Sequence, residues 1–441
     1  MLTYHGDELF CDGHKIRWLA DRLSTPFFLF SERALAENYR RLAQPLSELP
    51  AGGCVDYCVK TNHELALLHL IRGLGAGATV SCGWELELAL AAGFDPARIT
   101  FHGPCKTGQE LDRAVSVGVG LIHVYSPEEV DELNRVAGAR RRRMDVSFRL
   151  PTPGPRWRRG PAGWYAQRLG IPWKGAARLA HQASTLPWVR PVGFSVHLGT
   201  HMIHPAPYRK AVRRLVRLAQ ELSDSGSPSL MIGLGGGWPS NTLQPLRLKT
   251  LIGGTAVKDS PPTLPAAATL IREVAAAFRA EIEHSQLAAP PLLRLEPGRG
   301  IVGSSGLLVT RVRALRGRWV FVDGSRNYLP ETLVTSRRLI LPSARRSGDP
   351  LRRSHISGQT LNTMDILALG VRLPALRVGD VLAFLDAGAY SLSRACRYAG
   401  TIPAAYLITE AGKVVQILKG DRYADLVAPM VPPDQWASVL D

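Results

Sequence analysis

Lys60 closes the short apolar run CVDYCVK and is followed by Thr61 and Asn62. An amine at the end of such a run is stripped of water, which lowers its pKa and suits it to condensing with a carbonyl. An exposed lysine at a strand end is the alternative. His197 closes a second run, GFSVH, with Thr200 just beyond it. His197, His201 and His204 invite a metal reading, but Gly199 and Pro205 break any shared helical face and no carboxylate accompanies them. No metal is expected. Gly235, Gly236 and Gly237 follow a third run, where bare backbone N–H groups can approach an anion. A tight turn is the plainer reading. The stretch is not a dinucleotide fingerprint, because Trp238 holds the last glycine position. Glu296 and Arg299 close a fourth run as Glu-Pro-Gly-Arg. They could address a cationic ring nitrogen and a phosphate, or form a structural ion pair.

These groups need a scaffold, and the chain has a rhythm that supplies one. From Cys54, eight strand-like runs alternate with helical patterns: Cys54–Lys60, Ala78–Cys82, Ile99–His102, Leu121–Val124, Asp145–Leu150, Val192–His197, Met231–Leu234 and Leu292–Glu296. Strands alternating with helices predict βαβ units and a parallel sheet. Eight units in a span of this size fit a closed (β/α)8 TIM barrel of about 250 residues, with an open doubly wound sheet as the alternative. Past Gly300 the runs read as strands with little helix: Leu307–Leu315, Arg318–Asp323, Arg338–Leu341, Val378–Leu385 and Lys413–Leu418. The predicted class is α/β, with a barrel over 27–300. A mostly β domain would be built from 1–26 and 301–441. Barrel active sites lie at the carboxyl ends of the strands, where all four features fall. A lysine, an imidazole, a glycine-rich anion site and a carboxylate with an arginine on one rim describe pyridoxal phosphate (PLP) held as an imine.

Composition narrows the partners. Lys and Arg total 54 against 37 Asp and Glu, a net charge of +17, which favours anionic ligands. Nucleic acid is not expected: the one pure basic run, Arg140–Arg143, has no aromatic interleaving and reads as a solvated connection. Six cysteines show no C-x-x-C pair, and neither a secretory pattern nor a long apolar run is present. A cytoplasmic protein with reduced thiols and no membrane contact is the expectation.

The chain resembles the barrel-type, alanine-racemase-like (fold type III) PLP decarboxylases of the diaminopimelate and ornithine decarboxylase group. The likeness rests on six ordered motifs: Tyr57-Cys-Val-Lys60-Thr-Asn62, Gly103-Pro-Cys-Lys106-Thr107, His197-Leu-Gly-Thr200, Gly235-Gly-Gly237, Glu296-Pro-Gly-Arg299 and Asp386-Ala-Gly-Ala-Tyr390. It implies that Lys60 forms the Schiff base, His197 stacks on the pyridine ring, and Glu296 pairs with the ring nitrogen. Thr200, Gly235, Gly236, Gly237, Arg299 and Tyr390 would hold the phosphate, and Arg149 would face the substrate. A carboxylate at 296 keeps the ring protonated and favours decarboxylation, whereas an arginine there would suit racemisation.

The resemblance also implies a homodimer in which a segment of the partner reaches the active site. Its equivalent here is Gly358–Asp365, with Leu361 replacing the family cysteine, Asn362 the acid, and Asp365 retained. Thr79 stands where an acid is common, and Arg326 is the arginine nearest the usual substrate-binding position. Arg326, Leu361, Asn362 and Asp365 are therefore expected on the substrate side. These departures point away from diaminopimelate and ornithine. They favour an amino-acid conjugate, polyanionic or bound to a carrier protein, in a siderophore or antibiotic pathway. An epimerase or other α-carbon lyase, and a non-catalytic PLP-binding protein, are the alternatives.

Overall fold

The alternating runs form eight parallel strands: β1 (Gly53–Cys58), β2 (Gly77–Val80), β3 (Ile99–Phe101), β4 (Leu121–Val124), β5 (Met144–Leu150), β6 (Val189–His197), β7 (Met231–Gly235) and β8 (Leu292–Glu296). The structure is a computed structural model that describes residues 1–152, 168–200, 202–224, 226, 231–240, 244–245, 267–331, 336–337, 340–344 and 350–436. Each strand pairs with its sequence neighbours, and β8 returns to β1 through Leu293–Gly53 and Arg294–Cys54, so the sheet closes. The expected (β/α)8 barrel is observed, and the open-sheet alternative is excluded by this closure.

Helices at Leu65–Gly73, Gly83–Ala91, Gly108–Val117, Pro127–Ala139, Ala176–Ser184, Ala206–Asp224 and Ala267–Glu283 lie between the strands. Their starts follow from local chemistry. Thr107 accepts a hydrogen bond from the Glu110 backbone at 3.2 Å while Glu110 reaches back to the Thr107 N–H at 2.9 Å. Ser126 caps the next helix, with Pro127 in its first turn. The apolar faces and the outward side chains of the strands merge into one core that includes Leu67, Ile71, Leu111, Leu133, Leu215 and Ile271.

The second unit is a nine-stranded sheet. Its main path runs Ile366–Leu373, Arg352–Ser357, Trp319–Val322, Gly306–Arg316, Phe27–Ser31, Ala404–Ile408 and Val414–Leu418; Val381–Phe384 joins Gly306–Arg316 and pairs in turn with Ile340–Pro342. Phe27–Ser31, expected at the head of the barrel unit, belongs instead to this sheet, pairing antiparallel with Gly306–Val309 and parallel with Ala404–Ile408. All five of its residues are buried, so periodicity could not show which sheet receives it. Residues 338–339 of the expected Arg338–Leu341 strand, the turn at 347–349, most of the 151–163 connection and His201 lie outside the described residues. Among the described residues no helix is long and apolar enough to cross a membrane.

Candidate active site

Parallel register brings the candidate residues onto one rim. His197, Gly235 and Glu296 sit side by side in one row at the carboxyl ends of β6, β7 and β8. One layer below, Ser195 of β6 pairs with Arg149 of β5. Lys60 follows β1 in a single 3-10 turn, Val59–Thr61. Arg299 opens the short helix Arg299–Val302. Tyr390 comes from the β-rich unit in a left-handed backbone conformation (φ 53°), and its N–H donates to the Thr61 carbonyl at 2.8 Å, which fastens that loop to the barrel.

A cavity of about 480 Å³ opens there, lined by Lys60, Arg149, His197, Thr200, Gly236, Gly237, Glu296, Arg299 and Tyr390. Gly235 lies directly beneath, its place dictated by crowding: a Cβ would fall 2.6 Å from Glu296 Oε2. At Gly236 (φ +57°) a Cβ would overlap the His197 ring. Of the expected substrate group, only Arg149 lines this cavity. Arg326, Leu361, Asn362 and Asp365 sit together on the β-rich unit. Leu361 is 102% exposed there, while Asp365 is buried, accepting hydrogen bonds from the Arg326 N–H at 2.7 Å and the Thr360 hydroxyl at 2.7 Å.

The electrostatics corrects one expectation. Lys60 is reachable from the cavity, and its pKa is raised rather than lowered. Burial does oppose its charge, but the acidic groups Cys58, Tyr390, Tyr125 and Glu85 around it outweigh that penalty. His197 behaves as a neutral ring: burial first, then Arg149 and Lys60, hold its pKa at about 3. Glu296 is wholly buried, which opposes ionisation, yet the electrostatic pull of His102 and its hydrogen bond at 2.7 Å, with His123 beside it, hold its pKa well below the usual carboxylate range.

Several residues at the site carried no sequence signal as candidates. His102 Nε2 lies 2.7 Å from Glu296 Oε1, and His123 Nε2 lies 3.5 Å from the same oxygen. His102 directly follows β3, immediately before the Gly103–Thr107 motif, whereas His123 sits inside β4, where an inward polar residue among aliphatics looks like any core histidine. The ligand atoms of His102, His123 and Glu296 lie within 4.8 Å of one another, and the match of ring N–H to carboxylate accounts for that proximity. Glu331 also lines the cavity, pairing with Arg299 and, at 3.5 Å, with Arg394. Lys106 of the second motif is structural: its buried ammonium donates to the Gly103 carbonyl (2.7 Å), the His123 carbonyl (2.8 Å) and Glu129.

The donor set fits a phosphorylated, ring-bearing aldehyde. Thr79 Oγ1, Arg149 Nε, Arg299 Nη1 and Trp238 Nε1 are buried without hydrogen-bond partners among the described residues, all on residues that line the cavity. Each such group costs about 1–3 kcal/mol, so donors and acceptors are being held ready for a ligand. The Arg299 guanidinium lies 4.9 Å from the centre of the Tyr390 ring and gives Nη2 to Glu331, which leaves Nη1 without a partner among the described residues.

The sequence profile described as "Pyridoxal-dependent decarboxylase, pyridoxal binding domain" matches residues 35–303. The chain belongs to the pyridoxal-dependent decarboxylase family. Diaminopimelate decarboxylase of Pseudomonas aeruginosa is 30% identical to it, with 97% of each chain covered; that of Aquifex aeolicus is 29% identical, again with 97% of each covered. Among solved structures, the M. jannaschii diaminopimelate decarboxylase in complex with L-lysine superposes with a TM-score of 0.86 at 26% identity, covering 99% of both chains. As a member of this family the protein is a PLP-dependent carboxy-lyase. The pyridoxal-binding match spans the barrel, and the relatives' coverage extends through the β-rich unit that supplies Tyr390.

Proposed function

We propose that the substrate is diaminopimelate or a close diamino dicarboxylate, and that the product is lysine or its analogue. The observation that carries this reading is Arg149: a buried guanidinium on the Lys60 rim with no acidic partner among the described residues. Such a group is suited to a substrate carboxylate. End-to-end likeness to diaminopimelate decarboxylases supports the choice. The relatives named above offer no support for a siderophore or antibiotic substrate, or for a carrier-bound one.

When bound, PLP supplies a carbonyl for amine condensation and a cationic ring that draws electrons from the substrate α-carbon. Lys60 would hold it covalently, Arg299, Thr200, Tyr390 and the Gly235–Gly237 backbone would hold its phosphate, and Glu296 would face its ring nitrogen. His197, neutral in this environment, offers a flat face without a competing charge. Arg149 would pair with the carboxylate that a dicarboxylic substrate keeps. Lys60 Nζ, protonated in this cavity, keeps a proton for return to the α-carbon, a role that the exposed Leu361 cannot fill. Gly358–Asp365 is read as the segment that a dimer would offer to the neighbouring site.

The reading is tested by incubating purified protein and PLP with meso-diaminopimelate, LL-diaminopimelate, ornithine and arginine, and measuring CO2 and amine product. Equal amounts of CO2 and lysine from a diaminopimelate isomer support it. CO2 from ornithine or arginine alone, or recovery of inverted diaminopimelate without CO2, overturns it.

A further inference from the structure

The carboxylate of Glu296 is held from behind. Tyr125 Oη lies 2.9 Å from His102 Nδ1, and a neutral ring that gives its one proton to the acceptor-only carboxylate leaves Nδ1 bare to accept the Tyr125 hydroxyl. The His102 proton is then on Nε2, which faces Glu296 Oε1 at 2.7 Å. His123 Nε2 faces Oε1 at 3.5 Å, a long contact that an N–H satisfies and a bare nitrogen would oppose; with the proton on Nε2, the bare Nδ1 accepts the Ser195 hydroxyl at 2.9 Å. The two imidazoles stack at 3.8 Å with 25° between their planes, so their N–H groups converge on one oxygen. Glu296 Oε2 has no hydrogen-bond partner among the described residues and lies on the Gly235 side, beside the cavity.

We propose that His102 and His123, backed by Tyr125 and Ser195, are positioning residues: a two-sided hydrogen-bond relay that pins Oε1 of Glu296 and presents Oε2 to the cofactor ring. The inference rests on the reading of Glu296 as the partner of the ring nitrogen. The surroundings enforce the neutral tautomers. Burial disfavours a charge on either ring, Arg149 opposes it on both, and Arg294 opposes it on His123. Two stacked imidazolium ions beside those guanidinium groups would repel one another. The scaffold holds the relay in place: Lys106 grips the His123 carbonyl, and Glu129 accepts the Tyr125 N–H at 2.7 Å. Serial N–H and O–H donation ending on a carboxylate orients a ligand-facing group, as outer partners do behind metal-bound histidines.

The test has two arms. In the PLP-free protein, 15N-edited NMR of the imidazoles should show His102 and His123 neutral with the proton on Nε2. A cationic ring or an Nδ1–H tautomer at neutral pH overturns the relay, and this arm needs no variant to fold. In the second arm, PLP affinity and the absorption band of bound PLP are measured for His102→Phe, His102→Gln, Glu296→Gln and the double variant Glu296→Gln/His102→Phe. His102→Phe should weaken PLP binding about 10-fold and shift the band, and His102→Gln, which restores an N–H donor, should recover most of both. The effect of His102→Phe should vanish in the Glu296→Gln background, because the relay acts through that carboxylate. Full additivity, or a His102→Phe protein indistinguishable from wild type, overturns the relay. A Glu296→Gln protein with unchanged affinity and band overturns the ring-nitrogen reading instead, so the two failures are distinct.

Discussion

Arg294 of β8 places Nη2 2.8 Å and Nε 2.9 Å from Asp56 Oδ2 of β1, across the seam where the last barrel strand meets the first. Thr100 of β3 accepts a further hydrogen bond from the same guanidinium at 3.0 Å. The pair lies inside the barrel beneath the catalytic rim, so it ties closure of the sheet to the floor of the site. A buried pair of this kind adds little over a well-packed apolar substitute, but breaking it strands one charge.

Arg294→Met should therefore destabilise the protein by about 3–5 kcal/mol, leaving Asp56 buried and unpaired. The double variant Asp56→Leu/Arg294→Met should recover much of that loss. Urea denaturation of both proteins checks this, and a single variant as stable as wild type would show that the seam does not depend on the pair.

Lys60→Ala should abolish the covalent adduct formed when the PLP-loaded protein is treated with borohydride. Wild type should gain the mass of a reduced pyridoxyl group on the peptide containing Lys60. The raised pKa of Lys60 adds a second expectation: loading of PLP should quicken as pH rises from neutral, because the amine must lose its proton to attack a carbonyl. A pH-independent loading rate would count against that.

Acid should weaken the PLP-free barrel through its histidines. His197 has a folded pKa of about 3 against an ordinary 6.5, and burial also holds His102 and His123 low. Between those values the unfolded chain binds protons that the folded chain refuses, so stability rises with pH across the window. The contribution is complete above 6.5 and is lost progressively as pH falls toward 3. Each such group adds a slope of up to about 1.4 kcal/mol per pH unit. Denaturation midpoints measured from pH 7 to 5 should fall, and His197→Phe should flatten the slope; an unaltered slope in that variant would remove His197 from the account.

The barrel was legible because eight buried strands announce themselves as short apolar runs between amphipathic helices, and the rim residues because each ends such a run. Lys60, His197, Gly235 and Glu296 needed only the rule that barrel sites gather at carboxyl ends. What stayed hidden depends on geometry across strands. His123 and Ser195 sit 72 positions apart and meet only because β4 and β6 both turn those side chains inward. The run before Lys60 shows its burial, but the groups that favour its charge, Cys58 within the run and Tyr390, Tyr125 and Glu85 from other elements, gather around it only in the fold. Phe27–Ser31 is buried along its whole length, and a strand of that kind carries no mark of the sheet that receives it.

The loop at Gly358–Asp365 depends on one buried acid. Asp365 accepts the Arg326 N–H at 2.7 Å, the Thr360 N–H at 3.0 Å, the Thr360 hydroxyl at 2.7 Å and the Ser325 hydroxyl at 3.2 Å. These bonds to a charged acceptor shape the turn that projects Leu361 and Asn362 into solvent. Asp365→Asn halves the acceptor capacity of the carboxylate and should cost about 1.5–3 kcal/mol while releasing the turn. If the projecting segment completes a neighbouring site in a dimer, kcat/KM should fall while the borohydride adduct at Lys60 still forms in full, because none of these four residues lines the cavity of its own chain. Leu361→Cys gives the complementary measurement. Its thiol should react freely with an alkylating reagent at concentrations where the protein is monomeric, and slowly where it is dimeric. Equal reactivity in both states, together with an unimpaired Asp365→Asn enzyme, would place this segment outside the chemistry.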